Sequence, residues 1–90
     1  NPKIHQVQDY IIDNLSGENS IDTLAEKVAM SPRNLSRVFK ETTGSTIVEY
    51  LTKLRLETAK TLLNNPEYTI EYVASQCGFK TARQLQRILK

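Results

Sequence analysis

The chain has 90 residues, 39% hydrophobic and 24% charged, with a formal net charge of +2. That is ordinary globular composition, enough for one small domain or two very small subdomains sharing an element, and not that of a disordered segment. No apolar run approaches the roughly 20 residues of a membrane span, the first residues lack a signal-peptide pattern, and a single cysteine makes no internal disulfide, so a reducing cytoplasmic setting is expected.

Taken in order, Pro2 opens a helix over residues 2–15, with Ile4, Val7, Ile11 and Leu15 at helical spacing. His5 has no second histidine or cysteine nearby to build a metal site and reads as a surface residue. Ser20 caps a helix over about 21–29, whose Ile21, Leu24, Ala25 and Val28 face inward. Ser31 and Pro32 then start a third helix explicitly, as N-cap and first helical residue. Leu35, Val38 and Phe39 form its apolar face, and Arg33, Asn34, Ser36, Arg37 and Lys40 occupy the rest. No acid occurs until Glu41, and Gly44 is placed to end the helix in a left-handed conformation.

A long helix over about 46–63 follows, roughly 27 Å at 1.5 Å per residue. Its apolar stripe turns midway: Ile47, Tyr50, Leu51 and Leu54 share one side, and Leu56, Ala59, Leu62 and Leu63 another. It reads as a connector with a docking face at each end. Arg55 lies between the faces, with a carboxylate as its first expected partner and a phosphate as its second. Asn64-Asn65-Pro66 breaks the helix. Thr69 caps the next, about 70–77, where Tyr68 and Tyr72 are expected to cover the fold and Cys77 to act as a small core residue. Thr81 caps the last helix, with Leu85, Ile88 and Leu89 inward and Lys80, Arg83, Arg87 and Lys90 on the opposite face.

Two of these stretches are copies. Ile21, Leu24, Ala25, Val28, Ala29 and Met30 match Ile70, Val73, Ala74, Cys77, Gly78 and Phe79 at an offset of 49. After one inserted residue, Arg33, Leu35, Arg37 and Lys40 match Arg83, Leu85, Arg87 and Lys90 at an offset of 50. Two helix-turn-helix units explain the pattern: Ala25 and Ala74 allow a close helix crossing, and Ala29 and Gly78 sit in tight turns where a large side chain is expected to clash. Charge follows the repeat. Residues 32–40 and 80–90 hold seven of the twelve basic residues and no acid, while the rest of the chain sums to −5. Two wholly basic helices on an otherwise acidic chain point to nucleic acid.

The segments Leu24-Ala25, Met30 to Lys40, Thr43-Gly44, Tyr50-Leu51, Arg55, Ala59, Leu62-Leu63 and Ile70 to Phe79 together resemble the C-terminal DNA-binding domain of AraC/XylS-type transcription regulators. The resemblance covers nearly the whole chain. It implies an all-α, homeodomain-like fold with two helix-turn-helix subdomains (1–45 and 65–90) joined by a linker helix (46–64). It also implies recognition of double-stranded promoter DNA in two adjacent major grooves. Carried onto this sequence, base reading falls on Arg33, Ser36 and Arg37 in the first unit and on Ala82, Arg83, Gln86 and Arg87 in the second. Ser31, Asn34, Lys40, Lys80, Thr81 and Lys90 are the candidate phosphate contacts. The chain departs from the family at Thr46, where proline is usual, at Leu89, where an aromatic is common, and after Lys90, where a further short helix is expected.

The resemblance places effector sensing and dimerisation in a separate N-terminal domain and implies a monomeric segment of a bacterial, nucleoid-associated protein; the helices that run to both ends of the sequence lead us to expect an excised piece of a longer chain. No catalytic set, metal cluster or phosphate-binding glycine loop is present in the sequence, so neither an enzyme nor a cofactor is expected. The alternative is a protein-interaction module of helix-turn-helix shape, docking for instance on RNA polymerase. That reading needs exposed apolar positions, and the helical pattern leaves none to spare.

Overall fold

The computed structural model describes residues 1–17 and 19–89. Glu18 and Lys90, the last of the expected phosphate contacts, lie outside the described residues. Six helices, and no strand among the described residues, run in the order α1 (Pro2–Asp13), α2 (Ile21–Lys27), α3 (Pro32–Thr43), α4 (Ile47–Leu62), α5 (Ile70–Cys77) and α6 (Ala82–Leu89).

The local sequence sets nearly every boundary. Ser20, Ser31, Thr46, Thr69 and Thr81 each accept a hydrogen bond from the backbone N–H three residues on, at 3.1–3.3 Å. At Thr46 the cap is reciprocal: Glu49 Oε1 accepts from the Thr46 N–H at 2.9 Å, completing a capping box. A threonine thus starts α4 where proline is usual. α1 and α2 each end two residues before their expected ends, α4 is one residue shorter than expected at each end, and α3 ends before Gly44 as expected. α1 stops at Asp13, because the backbone and side-chain N–H groups of Asn14 both donate to the Tyr10 carbonyl, at 3.0 and 3.1 Å, and turn the chain out. α3 runs on to Thr43 before Gly44, at φ 83°, donates to the Lys40 carbonyl at 2.8 Å. α4 is 16 residues long, about 24 Å rather than 27 Å.

Two cores form on the two ends of α4. The first joins Ile4, Val7 and Ile11 of α1 to Leu24, Ala25, Val28, Leu35, Phe39 and Ile47, with Tyr50, Leu51 and Leu54 at its edge. Phe39 meets Tyr50 edge-on, with ring centroids 5.5 Å apart, which ties α3 to α4. Burial, followed by the nearby Asp9 charge, raises the Tyr50 hydroxyl above its ordinary pKa. The second core joins Ala59 of α4 to Val73, Ala74, Cys77, Phe79 and Leu85, flanked by Leu62, Leu63, Ile70, Ile88 and Leu89. The rotated stripe on α4 therefore docks one helix-turn-helix, α2–α3, at one end and a second, α5–α6, at the other, and the molecule measures 41 × 21 × 19 Å. α1 adds three fully buried residues to the first core.

Candidate nucleic-acid interface

Each recognition helix is sharply two-sided. Leu35 and Leu85, the matched positions of the repeat, are both fully buried. Opposite them, Arg33, Ser36, Arg37 and Lys40 of α3, and Arg83, Gln86 and Arg87 of α6, are exposed. Lys80, before α6, is exposed as well. Burying one leucine per helix fixes the rotation of the other side chains about the helix axis, so the register of the core sets which groups face solvent. Ala82 is half-buried at the first position of α6 and offers at most a methyl group.

The basic faces are not equivalent. Because α3 extends past Lys40, Glu41 belongs to the same helix as Arg37 and lies one turn away. Arg37 Nη1 donates to both Glu41 carboxylate oxygens, at 3.2 and 3.3 Å, while Nη2 donates to Asn34 Oδ1 at 2.6 Å. Arg37 is thus held in a row with Asn34 and Glu41. Both charged partners are about three-fifths exposed, so the pair is weak, on the order of 0.3–0.5 kcal/mol. The i, i+4 spacing of Arg37 and Glu41 is visible in the sequence, inside the helix that Gly44 was expected to end. On α6, Arg83 and Arg87 have no acid partner among the described residues.

The polar residues expected at phosphates have local duties as well. Ser31 caps α3 through the Asn34 amide, and Thr81 caps α6 through the Gln84 amide. Gln84 reaches back to accept from the Lys80 N–H at 3.0 Å, an arrangement like a capping box that the sequence reading missed. Both cap hydroxyls keep a hydrogen to donate, and both helix N-termini carry the positive end of a dipole.

Three further expectations need correction. Among the described residues Arg55 pairs with no carboxylate: its Nε donates to the backbone carbonyl of Leu15 at 3.2 Å. Burial pulls its pKa below the ordinary value for arginine, an effect opposed by the nearby Cys77, whose thiol burial pushes up. Ala29 is exposed, so its small size does not avoid a clash; its constraint is a φ of 55°. Gly78 is constrained twice, by a φ of 86° and by a Cβ position 2.6 Å from the Leu15 carbonyl oxygen and 2.9 Å from Arg55 Nε. Finally, apolar surface does remain: Tyr68 and Tyr72 lean together with centroids 4.8 Å apart and are 37% and 45% exposed.

Two exposed cationic helices, each following a short helix and a tight turn, are the anatomy of a tandem helix-turn-helix, and comparison places it. A helix-turn-helix domain family matches residues 24–90. The chain belongs to the AraC-type helix-turn-helix domain family. Among AraC-type and related relatives, the chain is 37% identical over 71 residues to the HTH-type transcriptional regulator Rv1931c of Mycobacterium tuberculosis, covering 79% of this chain and 27% of that protein. It is 30% identical over 88 residues to the HTH-type transcriptional activator RhaS of Salmonella arizonae, covering 98% and 32%. The DNA-binding domain of AdpA, solved in complex with a target DNA, superposes with a TM-score of 0.87 at 29% identity, over 94% of this chain and 77% of that one. The chain thus spans about a third or less of the curated relatives it matches, and the AraC-type fold extends over nearly all of it.

Proposed function

We propose that this chain is the sequence-specific, double-stranded DNA-binding part of a transcription regulator, with α3 and α6 entering adjacent major grooves. The observation that carries the reading is the pairing of buried Leu35 and Leu85 with exposed Arg33, Arg37, Arg83 and Arg87 at matched repeat positions. A major groove admits a helix, and an arginine reads guanine O6 and N7 in bidentate fashion, worth roughly 1–3 kcal/mol of discrimination. Ser36 and Gln86 extend base reading, with a methyl contact from Ala82. Ser31, Asn34, Lys40, Lys80, Thr81 and Lys90 hold phosphates and set register. Residues 1–45 and 65–90 act as the two reading units and 46–64 as the spacer between them. The relatives are named as transcriptional regulators, and AdpA was solved on its target DNA; both agree with this assignment. We place the protein in the cytoplasm, on the nucleoid, bound as one copy per site. No helix among the described residues is long and apolar enough to cross a membrane.

The test is binding to duplex DNA over a range of salt. Each neutralised phosphate adds about −0.9 to the log–log slope, so about four contacts give a slope near −4. An affinity independent of salt overturns the assignment. The alternative, a protein-docking module for a partner such as RNA polymerase, rests on exposed Tyr68 and Tyr72. It leaves the segregated arginines without a role.

A further inference from the structure

We propose that Arg55 is a positioning residue that fixes the second recognition unit against the first, and so sets the spacing at which the two can read DNA together. The inference rests on the DNA-binding assignment and deepens it. α4 alone does not define how the units sit, because each packs on a different end and face of it. A single helical rod leaves both units free to rock about their own contacts. Arg55 closes that freedom. Its stem leaves α4 between the two faces, and its Nε donates at 3.2 Å to Leu15, which sits at the edge of the first core. Its guanidinium simultaneously fills the space beside Gly78 in the turn between α5 and α6; a Cβ there falls 2.9 Å from Nε and 3.0 Å from Cζ.

The same Gly78 site lies 2.6 Å from the Leu15 carbonyl oxygen. One half-buried arginine, one carbonyl from the first unit and one glycine from the second thus meet at a point, 40 residues apart in sequence along the hydrogen bond. A planar guanidinium suits this place. It is rigid, always charged, and wedges flat against backbone while still donating. Glycine is required opposite it, since any side chain pushes the turn that leads into α6 away from Leu15.

DNA turns the proposal into a measurable quantity. Inserting one base pair between two half-sites rotates one against the other by about 34–36°. A clamped pair of units then loses base contacts in one groove; a loosely tethered pair swings to recover them. The experiment begins with duplexes selected from random sequence by the unaltered chain. It then compares affinity for the best site with affinity for versions carrying one base pair more or less between its halves. The unaltered chain should lose on the order of tenfold or more, the worth of a bidentate base contact. Arg55→Met keeps the aliphatic stem but not the donor or the plane; its loss on the altered sites should shrink to about threefold or less, with affinity for each half retained.

Residual dipolar couplings of the free protein give a readout without DNA. The unaltered chain should fit one rigid body, and Arg55→Met only two. An Arg55→Met protein that keeps both the spacing preference and the single rigid body overturns the proposal, as does an unaltered chain indifferent to spacing. If Arg55→Met does not fold, Arg55→Lys carries the test, because a flexible ammonium lacks the planar wedge: its spacing preference must fall at least threefold, and an unchanged preference overturns the proposal. Failure of the unaltered chain to bind any duplex sinks the DNA assignment instead, and the couplings still decide the clamp.

Discussion

The two helix-turn-helix units are copies that have diverged in how they are held. The first turns at Ala29, exposed and strained at φ 55°; the second turns at Gly78, at φ 86° and pressed against Leu15 and Arg55. The first core has α1 as an extra layer and the larger set of buried side chains, while the second is small and leans on Ala59 of α4. In the first, Arg37 is tied to Asn34 and Glu41; in the second, Arg83 and Arg87 have no acid partner among the described residues. A well-supported unit tolerates strain in its turn and a restrained arginine on its exposed face. A thin unit takes its position from its neighbour.

That contrast can be broken most severely in the cores. Leu35→Ala and Leu85→Ala should each cost about 2–5 kcal/mol, since both leucines are fully buried. The consequences should differ: circular dichroism and hydrogen exchange are expected to show protection lost only in α5 and α6 for Leu85→Ala, but across α1 to α4 for Leu35→Ala. Uniform loss in both variants would show one cooperative core.

The turns come next, with opposite signs. Gly78→Ala places a methyl against a backbone carbonyl in a left-handed conformation and should destabilise by about 1–3 kcal/mol. Ala29→Gly relieves a left-handed alanine, about 1–2 kcal/mol, against about 0.4–1 kcal/mol of added chain entropy. Thermal melting should therefore find it unchanged or up to about 1.6 kcal/mol more stable. Equal destabilisation by both substitutions would remove the distinction between the turns.

Smaller effects test the restrained arginine and the start of α4. Glu41→Ala should tighten DNA binding a few-fold, most at low salt, while weakening discrimination between sites, because Arg37 is freed but no longer oriented. Glu49 is held below the ordinary carboxylate range by its hydrogen bonds with Thr46, from the backbone and then the side chain, with a lesser influence from Lys40. A lowered folded pKa means the contribution is fully present above the unfolded pKa and fades as pH falls through the folded one. Glu49→Gln keeps the box geometry, so it should melt almost as the parent does near neutrality and decline less steeply in acid.

The sequence carried the architecture because the repeat, the caps and the alternation of buried leucine with exposed arginine are all local. Ser31, Gly44, Thr69 and Thr81 do what short-range chemistry requires of them. The turned stripe on α4 foretold two docking faces. What escaped was tertiary. Arg55 was matched to a carboxylate because side chains are visible in a sequence and a backbone carbonyl 40 positions away is not. Ala29 and Gly78 looked alike as small residues, yet one answers to backbone conformation alone and the other also to space. Glu41 lies within the helix that Gly44 was expected to end, one turn from Arg37, but only the basic stretch as far as Lys40 was read for function, and the restraint on Arg37 went with the rest.

Two unlike recognition helices in one chain have no reason to prefer a palindrome, whereas a two-fold dimer does. A linker of about 24 Å is shorter than the roughly 34 Å between successive major grooves on one face. We propose that subdomain width makes up part of the gap, and that the rest is met either by bending the DNA, at a cost of order 1–6 kcal/mol, or by leaving the second helix on the backbone. The most direct measurement is therefore selection from random duplexes combined with the stoichiometry of the bound complex. The account predicts an asymmetric site about two helical turns long, one chain per duplex, with firmer base preference in one half. A palindromic site carrying two chains would contradict it.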